Sequence, residues 1–297
     1  MPSKLCRFLH KTRQQRAVTL RFFARRGLSK LPYLPIRIRL SVSPEESTCF
    51  WWSYLPDAYH ADRTFCDYWG DDIGELRFLW RVLKPEGSFI DIGAYHGVYS
   101  LIASRRIHDR GSIIAFEPSP RERRRLTLHL RMNCISTVVL ESYAVAAETG
   151  DSCLFKVVSG FTSMNSLRRP ASGDPVQPVA VKTISLHEYL ERRRIERLDV
   201  IKIDVEGGEL EVLRGARRML ADLRPLIICE VLDWVTGPWG YPAREIVSHL
   251  EGYNYRWFDF QPNGMLSSHE ARYAYPEVRN YLAVPAEKVS TITEWIL

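Results

Sequence analysis

Four short apolar runs shape the middle of the chain: Phe89-Ile90-Asp91-Ile92, Ser112-Ile113-Ile114-Ala115-Phe116, a run over 198–203, and Leu226-Ile227-Ile228-Cys229. Each stops at an acidic or glycine-containing turn. Near-continuous apolar runs of this length suit strands covered on both faces, while half-exposed strands alternate. Helical periods follow or precede them over 73–83, 98–106, 121–132, 186–192 and 210–220, with a further strand over 138–143. Strand and helix in alternation predict a parallel sheet flanked by helices. Before this region, 36–42 and 48–54 flank Ser43-Pro44-Glu45-Glu46 and predict a hairpin. Between 152 and 181 the alternation breaks into strand-like 153–158 and 176–181 around a polar stretch. That segment reads as an inserted hairpin or lid, in which Thr162, Ser163, Asn165 and Ser166 could meet an acceptor and Arg168 and Arg169 an anionic one. A solvated loop is the alternative.

The first run ends in Gly93-Ala94-Tyr95-His96-Gly97 and restarts as a helix. Such a turn lets a ligand reach the backbone, and the helix that follows offers free N–H groups and a positive dipole end. The second run ends at Glu117-Pro118, where an acidic residue can accept both hydroxyls of a ribose. A dinucleotide fingerprint would need glycine where Tyr95 and Val98 stand, and no Gly-Lys-Ser or Gly-Lys-Thr closes a phosphate loop. A nucleoside ligand without pyrophosphate remains. Acidic Asp91 and Glu117 suit a cationic amino group and a ribose diol, as S-adenosylmethionine presents.

In order along the chain stand Phe-Ile-Asp-Ile-Gly-Ala at 89–94 with Gly97 and Tyr99-Ser100, Ala-Phe-Glu-Pro at 115–118, Ile-Lys-Ile-Asp-Val-Glu-Gly at 201–207 with Glu209, and Pro225 with Glu230. This series resembles the FkbM family of S-adenosylmethionine-dependent methyltransferases, most specifically in its third member. The resemblance runs from about residue 68 to 285. It implies a class I, Rossmann-like α/β fold with a doubly wound, mostly parallel seven-stranded sheet and an antiparallel final strand, supplied by 252–260 and 281–284. Residues 1–67 then form a basic extension, helix followed by hairpin, and 68–297 the methyltransferase domain. It also implies S-adenosyl-L-methionine as cofactor, held by Asp91, Gly93, Ala94, Tyr95, His96, Gly97, Glu117 and Pro118, and hydroxyls of a sugar, glycolipid or polyketide as acceptors. Tyr95 departs from the family, which usually carries Asn there.

Methyl transfer to oxygen needs in-line positioning and one base. Asp204, Glu206, Glu230 and His96 are the options, Asp204 first because it ends the strand beside the cofactor strand. Glu206 and Glu209 also sit where a helix N-terminus favours carboxylates. Asp204, Glu206 and Glu230 could share a divalent cation, but no His or Asn completes the set and no metal is assigned. Trp234 and Trp239 follow the fourth strand, where open α/β sheets bind ligands. Trp234, with Ser163 and Asn165, is a candidate substrate contact. Two alternatives stay open: a cofactor-binding or scaffold protein without turnover, and a methyltransferase acting on protein or RNA.

Charge adds one asymmetry. The 297 residues carry a net +6, yet residues 1–44 hold eleven Lys and Arg and no Asp or Glu, which leaves 30 basic against 35 acidic residues in the remainder. Apolar Leu5, Phe8, Leu9, Leu20, Phe22 and Phe23 interleave with that charge. The arm can be a solvated or partner-bound extension, a peripheral contact with an anionic membrane or nucleic acid, or a transit peptide. Six cysteines form no Cys-x-x-Cys pair, as expected of reduced thiols, and no apolar run is long enough to span a bilayer. A cytoplasmic protein with an optional membrane contact through 1–44 is expected, acting on a small-molecule or glycan acceptor. Nucleic acid is not an expected partner, and oligomeric state is left open.

Overall fold

The computed structural model describes residues 35–42, 46–53, 74–108, 110–159 and 162–297. The helix expected in the basic arm lies outside these residues. Strands β1 (Pro35–Ser41) and β2 (Ser47–Ser53) form the expected antiparallel hairpin. Then α1 (Gly74–Val82), β3 (Ser88–Ile92), α2 (Val98–Arg106), β4 (Ser112–Phe116), α3 (Pro120–Met132) and β5 (Val138–Glu141) alternate. Proline at the first position of α3 suits a place where no N–H is needed.

The inserted segment is β6 (Ala144–Ala146), β7 (Gly150–Val157) and β8 (Val176–Ser185), a separate three-stranded sheet of order β6-β8-β7. It is a hairpin as expected, extended by a third strand parallel to β8. After α4 (Leu186–Arg192) come β9 (Val200–Ile203), α5 (Glu209–Arg214), β10 (Leu226–Glu230), α6 (Asp233–Thr236), α7 (Arg244–Glu251), β11 (Tyr255–Phe260), β12 (Leu266–Ser268) and β13 (Asn280–Pro285).

The main sheet runs β12-β11-β13-β10-β9-β3-β4-β5. β5, β4, β3, β9 and β10 are parallel, and β13 is inserted antiparallel between β10 and β11. This is the class I methyltransferase order, doubly wound as expected. The strand number differs, because a turn at 261–265 folds β12 back onto β11 and makes eight strands instead of seven. The expected helix over 210–220 also stops early, at Arg214. Gly215 packs so closely that a Cβ there would lie 2.3 Å from the Ala146 carbonyl oxygen, and its own carbonyl accepts from His187 N–H at 2.8 Å. The chain resumes as one π-helical turn, Met219–Leu223.

Every residue of β3, β9 and β10 is buried, which explains their unbroken apolar character. Phe89, Val200 and Ile228 face a cluster built with Leu76, Leu79, Leu101 and Ile102 of α1 and α2. Ile90, Ile201 and Ile227 face the other side, against Leu190, Leu213 and Ile246 of α4, α5 and α7. The sheet is therefore the middle of three layers. The hairpin is built into the first layer: Phe50 and Trp52 belong to the same cluster. Asn133 at the end of α3 clamps β2, its Oδ1 accepting from Trp51 N–H and its Nδ2 donating to Trp51 O, both at 2.8 Å. No helix among the described residues is long and apolar enough to cross a membrane.

Candidate active site

Strand register assembles the site. Ile92 pairs with Phe116 on one side and Ile203 on the other, and Ile203 with Cys229. The residue after each strand position therefore falls in one row at the carboxyl edge: Gly93, Glu117, Asp204 and Glu230. Antiparallel β13 adds Asn280, paired with Glu230. The chain leaves β3 toward β4 on one side and reaches β9 on the other, so the row lies at the topological switch point where such sheets bind ligands.

The turn 93–97 is built for close approach. Gly93 has φ +79°, and a Cβ there would sit 1.7 Å from the Asp204 carbonyl oxygen. Gly93 and Ala94 N–H both donate to Phe116 O, at 3.1 and 3.0 Å. Gly97, φ +89°, precedes α2 and lies against Leu126. Between them Tyr95 is left-handed, φ 48°, a conformation in which Asn is several-fold enriched and a bulky side chain is strained. The family's Asn at this position thus matches the backbone, and this chain holds Tyr there by contacts. Its ring stacks on His96, centroids 3.8 Å apart, and its hydroxyl hydrogen-bonds Thr162 Oγ1 at 3.1 Å.

Glu117 is buried, with Oε2 accepting from Tyr95 N–H and Oε1 from Ser119 N–H, each at 2.8 Å. Burial, with Glu122 adding to it, raises its pKa to about 8. Asp91 points instead into the first turn of α2, accepting from Ser100 Oγ at 2.6 Å and Ser100 N–H at 3.1 Å. Burial raises it to about 6 against the pull of Ser100 and Lys202. His96 is turned away from solvent: Nε2 lies 2.7 Å from Glu122 Oε2 and its carbonyl accepts from His129 Nδ1 at 2.9 Å. Burial lowers the His96 pKa. Burial alone would raise Glu122, but the His96 hydrogen bond and the charges of Arg125 and Arg121 hold it at about 2. These contacts tie His96, and with it the 93–97 turn, to α3.

Two cavities meet at this edge and share Gly93, Tyr95, Ser163, Asp204 and Glu206. The first is narrow and mostly apolar, walled by Phe116, Glu117, Pro118, Val145, Leu154 and Trp239. The second, about 230 Å³, is walled by Trp52, Tyr99, Lys202, Glu230 and Val278, with Asp91, Ala94, His96 and Gly97 on the turn side. Lys202 is fully buried; its ammonium donates to Asp204 Oδ2 at 2.9 Å and Asn280 Oδ1 at 2.6 Å. Asn280 Nδ2 donates in turn to Glu75 Oε1 at 3.1 Å, which also accepts from the Tyr99 hydroxyl. Burial opposes charge on Lys202, but Asp204, Glu75 and Glu230 outweigh it and raise its pKa.

Glu206 and Glu230 are pushed well above the carboxylate range by burial and then by neighbouring carboxylates. Glu206, at φ 57°, borders both cavities; its carboxylate has no hydrogen-bond partner among the described residues, while its carbonyl accepts from Ser166 Oγ at 2.9 Å and Trp239 Nε1 at 3.3 Å. Glu209 accepts from Val205 and Gly207 N–H at 2.9 and 3.2 Å, clipping the turn before α5, and burial raises it to about 7.

A family model described as Methyltransferase FkbM domain matches residues 91–257. The chain belongs to this family. S-adenosylmethionine is therefore the cofactor of the domain, and the residues fit it: a glycine-lined turn a Cβ would close, and a buried acid beside apolar walls wide of any phosphate-binding element. The chain is 27% identical over 153 residues to Hexuronic acid methyltransferase AglP of Haloferax volcanii, covering 52% of this chain and 59% of that protein. It is 25% identical over 166 residues to Methyltransferase 1 of Beauveria bassiana, covering 50% and 66%. The alignments thus span less than two thirds of either relative. Among solved structures, a precorrin-6y C5,15-methyltransferase from Geobacter metallireducens aligns with TM-score 0.39 and 16% identity over 72% of this chain and 86% of that one.

Of the residues singled out from sequence, the FkbM domain brings Gly93, Ala94, Tyr95, His96, Gly97, Asp91, Asp204, Glu206 and Glu230 around the second cavity and Glu117, Pro118 and Asn165 around the first. Ser163 borders both. Asn165 spends its Oδ1 on Val157 N–H at 2.8 Å, so it shapes the loop. Trp234 is corrected: it is 47% exposed and lines neither cavity. α6 turns it outward, and Trp239 takes the wall. Trp52, Glu75, Tyr99, Lys202 and Asn280 were not singled out as site residues. Only Lys202, a charge inside an apolar strand pattern, carried a signal of its own.

Proposed function

We propose that the protein methylates a hydroxyl of an uncharged, sugar-like acceptor. S-adenosylmethionine, when bound, supplies a methyl carbon on a sulfonium, whose bond to sulfur breaks as the acceptor oxygen bonds to carbon. The chain's residues do the rest. Glu117 accepts the ribose hydroxyls, the 93–97 turn offers backbone at close range, and Glu206 receives the acceptor's proton.

The carboxylate of Glu206, which borders both cavities and has no hydrogen-bond partner among the described residues, carries this proposal. Asp204 is the poorer base because Lys202 already engages its Oδ2, which reverses the order expected from sequence. Carboxylates suit hydroxyl donors, and Tyr95 offers an apolar face of the kind sugars stack on. AglP, named for hexuronic acid, supports a carbohydrate acceptor, but the acidic character of that sugar is not carried over, because Asp91, Asp204, Glu206 and Glu230 against the single ammonium of Lys202 disfavour an anionic acceptor here. Methyl-labelled cofactor incubated with cell extract tests the acceptor. Label in a carbohydrate or glycolipid fraction is expected; label in protein or RNA would replace the proposal. Glu206→Gln should bind S-adenosylhomocysteine as the parent does and lose at least about 100-fold in transfer rate; unchanged turnover removes Glu206 as base.

A further inference from the structure

We infer that the floor of the second cavity is a binding site for one hard divalent cation, held by Asp204, Glu209 and Glu230. One carboxylate oxygen from each lies within 4.8 Å of the other two. Oxygen ligands at 2.3–2.6 Å on opposite sides of a calcium-sized ion stand about 5 Å apart, and those of magnesium about 4 Å apart, so the three oxygens already span a coordination sphere or need to close by less than an ångström.

The second observation is what these oxygens lack. Glu209 is fully buried and Glu230 is 8% exposed, yet Glu209 Oε2 and Glu230 Oε2 have no hydrogen-bond partner among the described residues. Buried carboxylate oxygens are ordinarily satisfied. Glu209 is not there merely to cap α5, since its other oxygen alone receives the Val205 and Gly207 N–H groups. Lys202 does not supply the missing partner, because its hydrogen bonds go to Asp204 and Asn280. Asp204, Glu206, Glu209 and Glu230 thus face one ammonium, and two further positive charges at the orphaned oxygens would bring the group to within one charge of neutrality. All-oxygen donors select magnesium, calcium or manganese over softer metals.

Asp204 and Glu230 also line the second cavity whereas Glu209 lies behind them. An ion there is held from below and keeps an open side toward the cavity, where a hydroxyl oxygen can coordinate. Glu206 borders the same cavity without belonging to the trio. The site stands on these residues alone and does not depend on which acceptor is used.

Manganese is the probe. Titrating the full chain with Mn²⁺ and following the free-ion electron paramagnetic resonance signal should show one ion bound per chain, displaced by excess Mg²⁺ or Ca²⁺. Glu209→Gln keeps a carbonyl oxygen for the two N–H groups and turns the orphaned acceptor into a donor, so it should melt no lower than the parent and bind Mn²⁺ at least tenfold more weakly. Glu230→Gln should weaken binding comparably, and Glu211→Gln, on the outer side of α5, should not. Absence of binding by the folded parent at millimolar Mn²⁺ would overturn the inference and assign protons to the orphaned oxygens. Equal binding by parent and Glu209→Gln would overturn it too. Neither result bears on methyl transfer, which the labelling experiment reads separately.

Discussion

At the scale of single residues, backbone conformation decides more than side-chain type. Gly93 combines φ +79° with a carbonyl oxygen 1.7 Å from the missing Cβ. Gly93→Ala must therefore meet both the left-handed penalty and a clash with backbone that cannot rotate away, together about 3 kcal/mol or more. Chemical denaturation should show that loss, with cofactor binding abolished. Glu117 gives a pH signature. With a pKa near 8 before ligand binds, it is mostly protonated at neutral pH, and a ribose diol wants the ionised form. Affinity for S-adenosylhomocysteine should rise from pH 6.5 to 8 and level off above; calorimetry across that range checks it, and Glu117→Gln should flatten the profile. Because its folded pKa exceeds the usual carboxylate value, Glu117's own contribution to stability runs the other way, present at acidic pH and lost as pH rises through 8.

At the scale of elements, the hairpin is the surprise. Strand alternation sends Trp51 outward, 44% exposed, and Trp52 inward, 1% exposed, where Trp52 stacks on His129 with ring centroids 3.8 Å apart and borders the second cavity. A segment that reads as an extension in sequence thereby walls the site. Asn133 holds it with three hydrogen bonds, to Trp51 N, Trp51 O and His129 O. Asn133→Ala leaves a part-buried strand edge unsatisfied and should cost about 1–2 kcal/mol. If Trp52 touches the acceptor, the same variant raises KM for the acceptor with little change in cofactor affinity, a split that steady-state kinetics resolves.

At the scale of the whole molecule, acid stability hangs on one buried cluster. Glu122 is held at about 2 in the folded chain, below its unfolded value, so its contribution is present above the usual carboxylate range and lost as pH falls toward 2. His96, its partner, is lowered by burial; staying neutral while the unfolded chain binds a proton, it also costs stability below its ordinary pKa. Both signs agree. Thermal melts from pH 7 to 3 should fall more steeply for the parent than for Glu122→Gln, which starts lower at neutral pH.

The apolar runs and their turns were enough to predict a parallel sheet with helices on both faces, the glycine turn at 93–97 and the acids at Glu117, Asp204 and Glu230, because strand period, glycine conformation and strand-end chemistry are local properties. Resemblance among the motifs added the family and its cofactor. Pairing was not legible. That β12 folds back as an eighth strand, that Gly215 ends a helix whose period continues, and that Trp239 rather than Trp234 meets the cavity each depend on contacts between segments far apart in the chain. The same holds for the cluster of Lys202, Asn280, Glu75 and Tyr99, and for the orphaned oxygens of Glu209 and Glu230: a residue's type fixes what it can donate or accept, and only packing fixes whether a partner is there.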